Sequence, residues 1–269
     1  MGYFDKEDNI LKQFRELNKS ECYPINGETV EIFPLIHDET NWKFWTNSSG
    51  KSDMPPDYYC DEFKLMMEVM RVDDHAYQSK KKGKTKIIDP VAARESEMCK
   101  ELKSSGILDN FPDVEILTVA KLPELPADDF RNYVRYKENF IRVIDKHRES
   151  IRLYRKNHPG YRLIFFIMDE SEEYIEVETE SIANEKGYVG KNMRGNRHYP
   201  FFDEDLINPL IDSDIDFLIW YMPYKLIEIS KSKFADLLPK VCIIDVEKIK
   251  TDMPQLYKYD EKRTISTGI

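Results

Sequence analysis

The chain has few cysteines and lacks any long apolar run. It holds four cysteines in 269 residues, and none of them forms a Cys-x-x-Cys pair, which excludes the common zinc and redox motifs. Widely spaced thiols in a chain of this size are typical of a reducing compartment. No apolar stretch approaches the roughly 20 residues of a membrane helix. The N-terminal sequence MGYFDKEDNILKQF carries charges where a signal peptide has its apolar segment. We therefore expect a cytoplasmic protein with no membrane partner.

Several catalytic motifs are also missing. The sequence contains no HExxH, no GxSxG and no glycine-rich dinucleotide loop, so the enzyme classes that depend on them are not indicated. The composition is that of a globular protein, because 41% of the residues are hydrophobic and 33% are charged. The length suits one large domain, or a core domain with a substantial appendage.

Charge is distributed unevenly along the chain. The net charge of −10 argues against a nucleic-acid partner. However, residues 80–86 hold five lysines, and residues 131–162 hold ten basic residues against three acidic ones. Residues 165–216 reverse this balance, with fourteen acidic residues against four basic ones. One face of the protein is thus predicted to be basic, unless the acidic segment neutralises it. The candidate nucleic-acid contacts are Lys82, Lys84, Arg148 and Arg152.

Apolar periodicity predicts an alternation of helices and strands. Helices are indicated at residues 5–18, 91–105 and 128–157, and residues 24–36 are predicted to be extended. The stretches RLIFFIMDE, DFLIWYMPY and KVCIIDV predict strands, as does VEILTV within residues 111–127, whereas residues 184–200 suggest a polar loop. The pattern favours an α/β (or α+β) fold with a mixed central β-sheet flanked by helices. We expect a core at residues 1–160 and a C-terminal extension at residues 161–269, packed on the same sheet.

One carboxylate interrupts an apolar strand. In LMMEVMRV, residues 65–72, both alternating faces are apolar near the centre, which is typical of an inner strand covered on two sides. Glu68 lies in the middle of this strand, on the same face as Lys64 and Met70. A buried carboxylate needs a cation, a metal or several hydrogen-bond donors. Glu68 is therefore a candidate functional residue.

A second carboxylate lies upstream, in Pro56-Asp57. The segment DYYCDE is predicted to pair with KLMMEVMRV through a tight turn near residues 62–63, which would bring Asp57 close to Glu68. Close carboxylates repel each other unless a divalent cation lies between them. Oxygen ligands of this kind suit Mg²⁺, which keeps several waters and binds phosphate groups. Such an ion polarises a phosphodiester and activates water.

With Pro56, Asp57 and Glu68 at this spacing, the chain resembles the PD-(D/E)xK nuclease superfamily. That family's pattern is Pro-Asp, a spacer of similar length, an acid, any residue and a lysine. Its restriction-endonuclease-like core is a helix, a mixed sheet holding a hairpin, a second helix and a further strand. A similar order is predicted here over roughly residues 5–170. The resemblance implies Asp57 and Glu68 as metal ligands of a Mg²⁺-dependent nuclease-like protein that acts on or binds a nucleic-acid phosphodiester.

The sequence departs from the family at one position. Met70 stands where the family has its lysine, which orients the attacking water and stabilises developing charge. Lys64 is the candidate auxiliary cation, although it lies four residues from Glu68, roughly 13 Å along a strand. The alternative is a non-catalytic interaction protein with a degenerate nuclease-like or other α/β fold. In that case Glu68 is a structural acid paired with an arginine or a tyrosine hydroxyl.

Overall fold

The computed structural model describes residues 7–24, 28–48, 56–72, 77–81, 84–88, 90–106, 129–171, 173–177, 193–194, 197–198, 203–223, 240–252 and 262–266. The predicted strand VEILTV lies outside these residues, as do most of the residues of the predicted loop at 184–200.

A mixed sheet of seven strands forms the centre of the fold. Its strands are β1 (Cys22–Pro24), β2 (Trp45–Asn47), β3 (Tyr58–Cys60), β4 (Leu65–Val72), β7 (Arg162–Asp169), β11 (Phe217–Tyr221) and β12 (Val241–Asp245). Across the sheet the order is β1-β12-β11-β7-β4-β3-β2. Strand β7 is parallel to both β4 and β11, whereas β3 is antiparallel to β4. The prediction of a mixed central sheet is confirmed.

Helices cover both faces of the sheet, as predicted. They are α1 (Glu7–Glu16), α2 (Thr29–His37), α3 (Glu39–Trp42), α4 (Pro90–Ser104), α5 (Asp129–Arg148), α6 (Ile151–Asn157), α7 (Glu204–Ile211) and α8 (Val246–Asp252). Helices α1 and α2 pack on one face, and α5 to α8 pack on the other. No helix in the described residues is long and apolar enough to cross a membrane.

Strand β4 lies inside the sheet, between β3 and β7. Its alternate residues enter two different cores: Met67 and Val69 pack beneath α1 and α2, and Met66 and Met70 pack beneath α5. This explains why the strand is apolar on both faces. Glu68 alternates with Met66 and Met70 along the strand and therefore lies on the face beneath α5. Its carboxylate is directed towards the helices α5 and α6.

Two smaller sheets complete the described structure. Strands β5 (Tyr77–Lys81) and β6 (Lys84–Ile88) pair in antiparallel fashion. The second sheet has the order β13-β8-β10-β9 and consists of β8 (Glu173–Val177), β9 (Met193–Arg194), β10 (Arg197–His198) and β13 (Lys262–Ser266). The part of residues 184–200 that is described is therefore a short antiparallel pair rather than a loop.

Two predictions of secondary structure were wrong. Residues 24–36 were expected to be extended, but residues 29–37 form α2, because Thr29, Ile32, Phe33 and Ile36 are buried at helical spacing. The single long helix expected at residues 128–157 is divided into α5 and α6 at residues 149–150. The predicted hairpin at residues 57–72 and the three strands β7, β11 and β12 are confirmed.

Candidate functional site

The β3–β4 hairpin brings Asp57 beside Glu68. Because Tyr58 pairs with Met67 in the antiparallel register, Asp57 is the next residue across from Glu68. The backbone N–H of Asp57 donates a hydrogen bond of 3.3 Å to Oε2 of Glu68. In return, the backbone N–H of Val69 donates to Oδ2 of Asp57 at 2.8 Å. The two acidic residues thus stand side by side at the start of β3 and the middle of β4.

The segment before β3 is fixed by Ser48. Its backbone N–H donates to the carbonyl oxygen of Asp57 at 2.7 Å, and its hydroxyl donates to the carbonyl oxygen of Pro56 at 2.5 Å. Ser48 is 1% exposed, so these bonds form away from solvent, where they are hard to replace with water. Pro56 and Asp57 are therefore held in place by the residue that follows β2.

Glu68 is a buried carboxylate with protein partners on both oxygens. Its residue is only 6% exposed, and Nδ1 of His147 lies 2.7 Å from Oε1. The hydroxyl of Tyr154 is a further hydrogen-bond partner of Glu68. Burial raises the pKa of Tyr154 well above its ordinary value, and the charge of the Glu68 carboxylate raises it further. The tyrosine therefore stays protonated and donates to the carboxylate.

The break between α5 and α6 positions both partners of Glu68. His147 belongs to the last turn of α5, and Ser150 is the N-cap residue of α6. Tyr154, which also hydrogen-bonds with Ser150, follows one turn into α6. His147 and Tyr154 are seven residues apart, about two helical turns, so both side chains reach the same part of the sheet.

Lys64, the predicted auxiliary cation, lies in the turn of the hairpin. It has a positive φ of 51°, and its Nζ donates to the hydroxyl of Tyr161 at 3.4 Å. The same ammonium group stands 4.9 Å from the centre of the Tyr161 ring. Lys64 is thus engaged at the tip of the hairpin, beyond the strand residues that separate it from Glu68.

Met70 is part of the core beneath α5. It is 3% exposed and packs in the same cluster as Met66, Phe140 and Ile144. A lysine side chain at this position would have its Cβ buried in this core. Position 70, where the nuclease pattern has its lysine, therefore lies in an apolar environment in this protein.

Two of the proposed nucleic-acid contacts lie at the junction of α5 and α6. Arg148 donates to Oδ1 of Asp145 at 3.2 Å and to the backbone oxygen of Asp212 at 3.4 Å, so its guanidinium group already has partners within the protein. Arg152 is exposed on α6. Lys84 begins β6, and Lys82 lies outside the described residues.

The donor types of the site suit a divalent cation. Asp57 and Glu68 supply carboxylate oxygens, which bind Mg²⁺ and Mn²⁺, and His147 supplies an imidazole nitrogen, which binds transition metals. In the described residues, however, three or more such side chains do not gather around one point as a closed metal site requires. The nearest ligand pair is Glu68 and His147, with Asp57 directed towards the backbone of Val69.

A cavity of about 300 Å³ lies elsewhere, near the start of β7 and β11. Arg162, Asp216, Asp245 and Glu247 line it, and it includes neither Asp57 nor Glu68. Arg162 pairs with Glu28, and Arg155 pairs with Asp216 at 2.7 Å. These ion pairs account for Arg162 and Asp216 without a ligand.

The sequence did not identify His147 as a partner of Glu68. A tyrosine partner was among the alternatives, and Tyr154 fills that role. The sequence did contain one indication of this contact. His147 lies at helical spacing from Ile144 and Phe140, which places all three on the face of α5 that covers the sheet. In comparisons with known proteins, the chain matches no protein-family model, no curated protein sequence and no solved structure.

Proposed function

We propose that this chain is a divergent PD-(D/E)xK-like protein that binds a nucleic-acid phosphodiester through a divalent cation at Asp57 and Glu68. In this proposal the protein holds the phosphate but does not cut it at an appreciable rate. The cation supplies positive charge to the phosphate oxygens. The residues of the chain orient the cation and set which phosphates reach it.

The adjacency of Asp57 and Glu68 carries the proposal. The backbone N–H of Asp57 touches the Glu68 carboxylate, so the two acidic residues of the motif are neighbours in space as well as at the expected spacing. Neighbouring carboxylates repel each other, and a shared cation would remove that repulsion. Mg²⁺ and Mn²⁺ keep several waters when bound by one or two carboxylates, and phosphate oxygens can replace those waters.

The order of elements also supports the proposal. A helix (α2), an antiparallel meander (β2, β3, β4), a helix (α5) and a strand parallel to β4 (β7) occur in this order along the chain, with α3, β5, β6, α4 and α6 between them. In the sheet these strands are neighbours in the order β2-β3-β4-β7. The resembling family has a helix, a sheet with a hairpin, a second helix and a further strand. In this chain Asp57 directly precedes β3 and Glu68 lies within β4.

The environment of Met70 favours binding over cleavage. The family's lysine activates or orients water, and a thioether has no proton to give and no charge. Because Met70 packs in the core beneath α5, its side chain does not contribute to a polar cleft. Lys64 is engaged with Tyr161 at the tip of the hairpin. We therefore expect little cleavage even with a cation bound.

A cation also explains how an acidic protein would hold an anion. The net charge is −10, which repels nucleic acid at long range. Arg148 and Arg155 are paired with acidic side chains, which leaves Arg152 as the exposed arginine of this group on α6. A bound divalent ion would add two positive charges at the site itself. Binding should then depend strongly on the cation.

The test is the affinity for a fluorescent oligonucleotide at low ionic strength, measured by anisotropy in Mn²⁺, in Mg²⁺ and in EDTA. The wild type should bind more tightly with either metal than in EDTA, and Asp57→Asn should lose that difference. Glu16→Gln, at an exposed acid on α1, which packs on the opposite face of the sheet from α5 and α6, is the matched control. Equal affinity in metal and in EDTA would overturn the proposal. A denaturing gel of the same samples reports cleavage.

A second candidate function is a non-catalytic interaction protein that needs no cation. It is favoured by the partners of Glu68, since His147, Tyr154 and the Asp57 N–H already satisfy its oxygens. In this case the carboxylate only connects β4 to α5 and α6. The melting temperature of the wild type would then be the same in Mn²⁺ and in EDTA.

A further inference from the structure

We propose that the β5–β6 hairpin binds double-stranded DNA by entering the major groove and contacting its phosphates, without a metal ion. The two strands are Tyr77–Lys81 and Lys84–Ile88, and we call them the basic ribbon. This inference rests on the proposed function for the class of ligand, and it deepens that function by naming the kind of nucleic acid and a second contact surface. The surface itself does not depend on the Asp57–Glu68 site.

The basic ribbon and its turn carry charge of one sign. Residues 77–88 hold five lysines and no acidic residue, although the whole chain has a net charge of −10. Positive charge that is concentrated in one segment attracts a polyanion locally, even where the molecule as a whole repels it. Contacts to phosphates position a protein on nucleic acid but carry no sequence information. Binding through these lysines should therefore not depend on base sequence.

The strand register gathers three of the five lysines on one face of the ribbon. Lys81 is paired with Lys84, and Lys86 lies two residues further along β6, so strand alternation places all three on the same face. We call Lys81, Lys84 and Lys86 the lysine face. Lys80 is one residue out of phase with them and belongs to the opposite face. The ribbon thus has one strongly basic face and one weakly basic face.

The pairing of Lys81 with Lys84 points to an anionic partner. Directly opposite residues of an antiparallel pair have Cβ atoms about 4.5–5.5 Å apart, and like charges at such positions destabilise the pair. A two-stranded hairpin is at best marginally stable by itself in water. Phosphates bound to the lysine face would remove the repulsion, so the ribbon should be more stable in the complex than alone.

The shape of the ribbon fits a DNA duplex better than other polyanions. In the part of the chain that is described, β5 and β6 pair only with each other, so the ribbon is two strands wide with about 4.8 Å between them. The major groove of B-DNA is about 12 Å wide and admits such a ribbon, whereas that of double-stranded RNA is deep and narrow. A membrane-surface segment combines basic residues with apolar ones, and residues 80–86 contain no apolar residue.

The position of the ribbon in the chain allows one duplex to reach the proposed cation site as well. Strand β4 ends at Val72 and β5 begins at Tyr77, so the base of the ribbon lies at most about 18 Å from the end of β4. Glu68 lies four residues before Val72, about 13 Å along the strand. One turn of B-DNA is about 34 Å long and can therefore span both places.

The test is fluorescence anisotropy with a DNA duplex of about two helical turns, in EDTA and over a series of NaCl concentrations. The wild type should bind, and the logarithm of its association constant should fall linearly with the logarithm of the salt concentration. A variant that combines Lys81→Gln, Lys84→Gln and Lys86→Gln should reduce this slope by about 2–3, because each phosphate contact on B-DNA contributes about 0.9.

A matched pair of single variants tests the two faces of the ribbon. Lys84→Gln should reduce the slope by about 1, and Lys80→Gln, on the opposite face, should reduce it by less than half as much. Equal effects of the two changes would overturn the lysine face. Asp57→Asn should bind in EDTA like the wild type. Circular dichroism establishes that each variant is folded, and if the triple variant is unfolded the two single variants decide the question.

The kind of nucleic acid is tested with the same protein. The DNA duplex should bind more tightly than an RNA duplex of the same sequence, and the protein should protect guanine N7, which lies in the major groove, from methylation by dimethyl sulfate. Equal affinity for the RNA duplex, for single-stranded DNA or for phosphatidylserine vesicles would overturn the assignment to the major groove.

The outcomes also separate this inference from the proposed function. Absence of binding in EDTA would overturn the basic ribbon, and metal-dependent binding that Asp57→Asn abolishes would then leave the proposed function standing. Binding that is the same in Mn²⁺ and in EDTA, and that the triple lysine variant loses, would overturn the proposed cation site and establish the ribbon.

Discussion

Glu68 and His147 are joined by a contact of 2.7 Å between Oε1 and Nδ1, although they are 79 residues apart in the chain. The contact connects the middle of β4 to the last turn of α5. It adds to the hydrogen bonds that Glu68 receives from the Asp57 N–H and the Tyr154 hydroxyl, and a hydrogen bond between a carboxylate and an imidazole is among the stronger ones in proteins. The pair therefore links the central sheet to the helix layer that covers it.

Replacing Glu68 by Gln should destabilise the metal-free protein. The amide has one acceptor oxygen, so it cannot serve His147, Tyr154 and the Asp57 N–H as the carboxylate does. We expect a loss of about 1–3 kcal/mol in the free energy of unfolding, measured by urea denaturation in EDTA. Glu62→Gln, at an exposed position in the hairpin turn, is the control and should change little. An unchanged unfolding midpoint for Glu68→Gln would contradict the described contacts.

Introducing the family's lysine at position 70 should not restore cleavage. Met70 is 3% exposed and packs beneath α5, and burying an ammonium group without a partner costs several kcal/mol. Met70→Lys should therefore melt far below the wild type. Met70→Leu should cost less than about 1.5 kcal/mol, because it keeps the volume and the apolar character. A stable Met70→Lys protein that nicks DNA in Mg²⁺ would show that position 70 borders an open cleft instead.

The buried carboxylate of Asp169 should stabilise the core beneath α5. It is 0% exposed, and it accepts hydrogen bonds from Tyr136 Oη at 2.8 Å and from Trp220 Nε1 at 3.1 Å. Its other oxygen accepts from the backbone N–H of Ser171 at 3.0 Å. Asp169→Asn places an amide donor among these donors, so we expect a loss of at least about 1.5–3 kcal/mol. The measurement is the denaturation of Asp169→Asn and of the control Asp212→Asn, which lies at an exposed site. Equal stability of the two variants would contradict the hydrogen-bond network around Asp169.

Stability should fall between neutral and mildly acidic pH through His158. Burial lowers the pKa of His158 below its ordinary value, although the charge of Asp61 opposes this shift. The unfolded chain then binds the proton at a higher pH than the folded protein does. This contribution to stability is full above the ordinary histidine pKa of about 6.5 and is lost as the pH falls through the lower, folded value.

His158→Phe isolates this effect, because phenylalanine can stack on Tyr59 but does not titrate. Urea midpoints at about pH 5 and about pH 7.5 should differ less in the variant than in the wild type. The melting temperature at the higher pH serves as the reference for any change in packing. An identical pH dependence in the two proteins would exclude His158 as the source.

The central strand could be predicted from the sequence, but the partners of its carboxylate could not. The apolar character of both faces of β4 is a local pattern, and it identified an inner strand and a hairpin with Asp57 beside Glu68. The contact with His147 depends on how α5 crosses the sheet and on the break before Ser150. Neither follows from local spacing, because tertiary packing decides where a helix ends.

Helix α2 shows a different reason for failure. The residues Thr29, Val30 and Ile32 are β-branched and favour strands, and Asn26-Gly27 indicates a turn. The burial of Ile32, Phe33 and Ile36 on one side of a helix outweighs these preferences. A count of helical spacing over residues 29–37 would have detected it. Pro34 lies inside this helix, although proline removes a backbone donor from a helix interior.

The most direct test of the proposed cation site is anomalous diffraction from crystals soaked in Mn²⁺. We predict one strong peak between Asp57 and Glu68, at about 2.1–2.2 Å from the Glu68 carboxylate. The same crystals soaked with an oligonucleotide should place a phosphate oxygen on the ion. An occupied Mn²⁺ peak elsewhere, with Glu68 still hydrogen-bonded to His147 and Tyr154, would contradict the proposal.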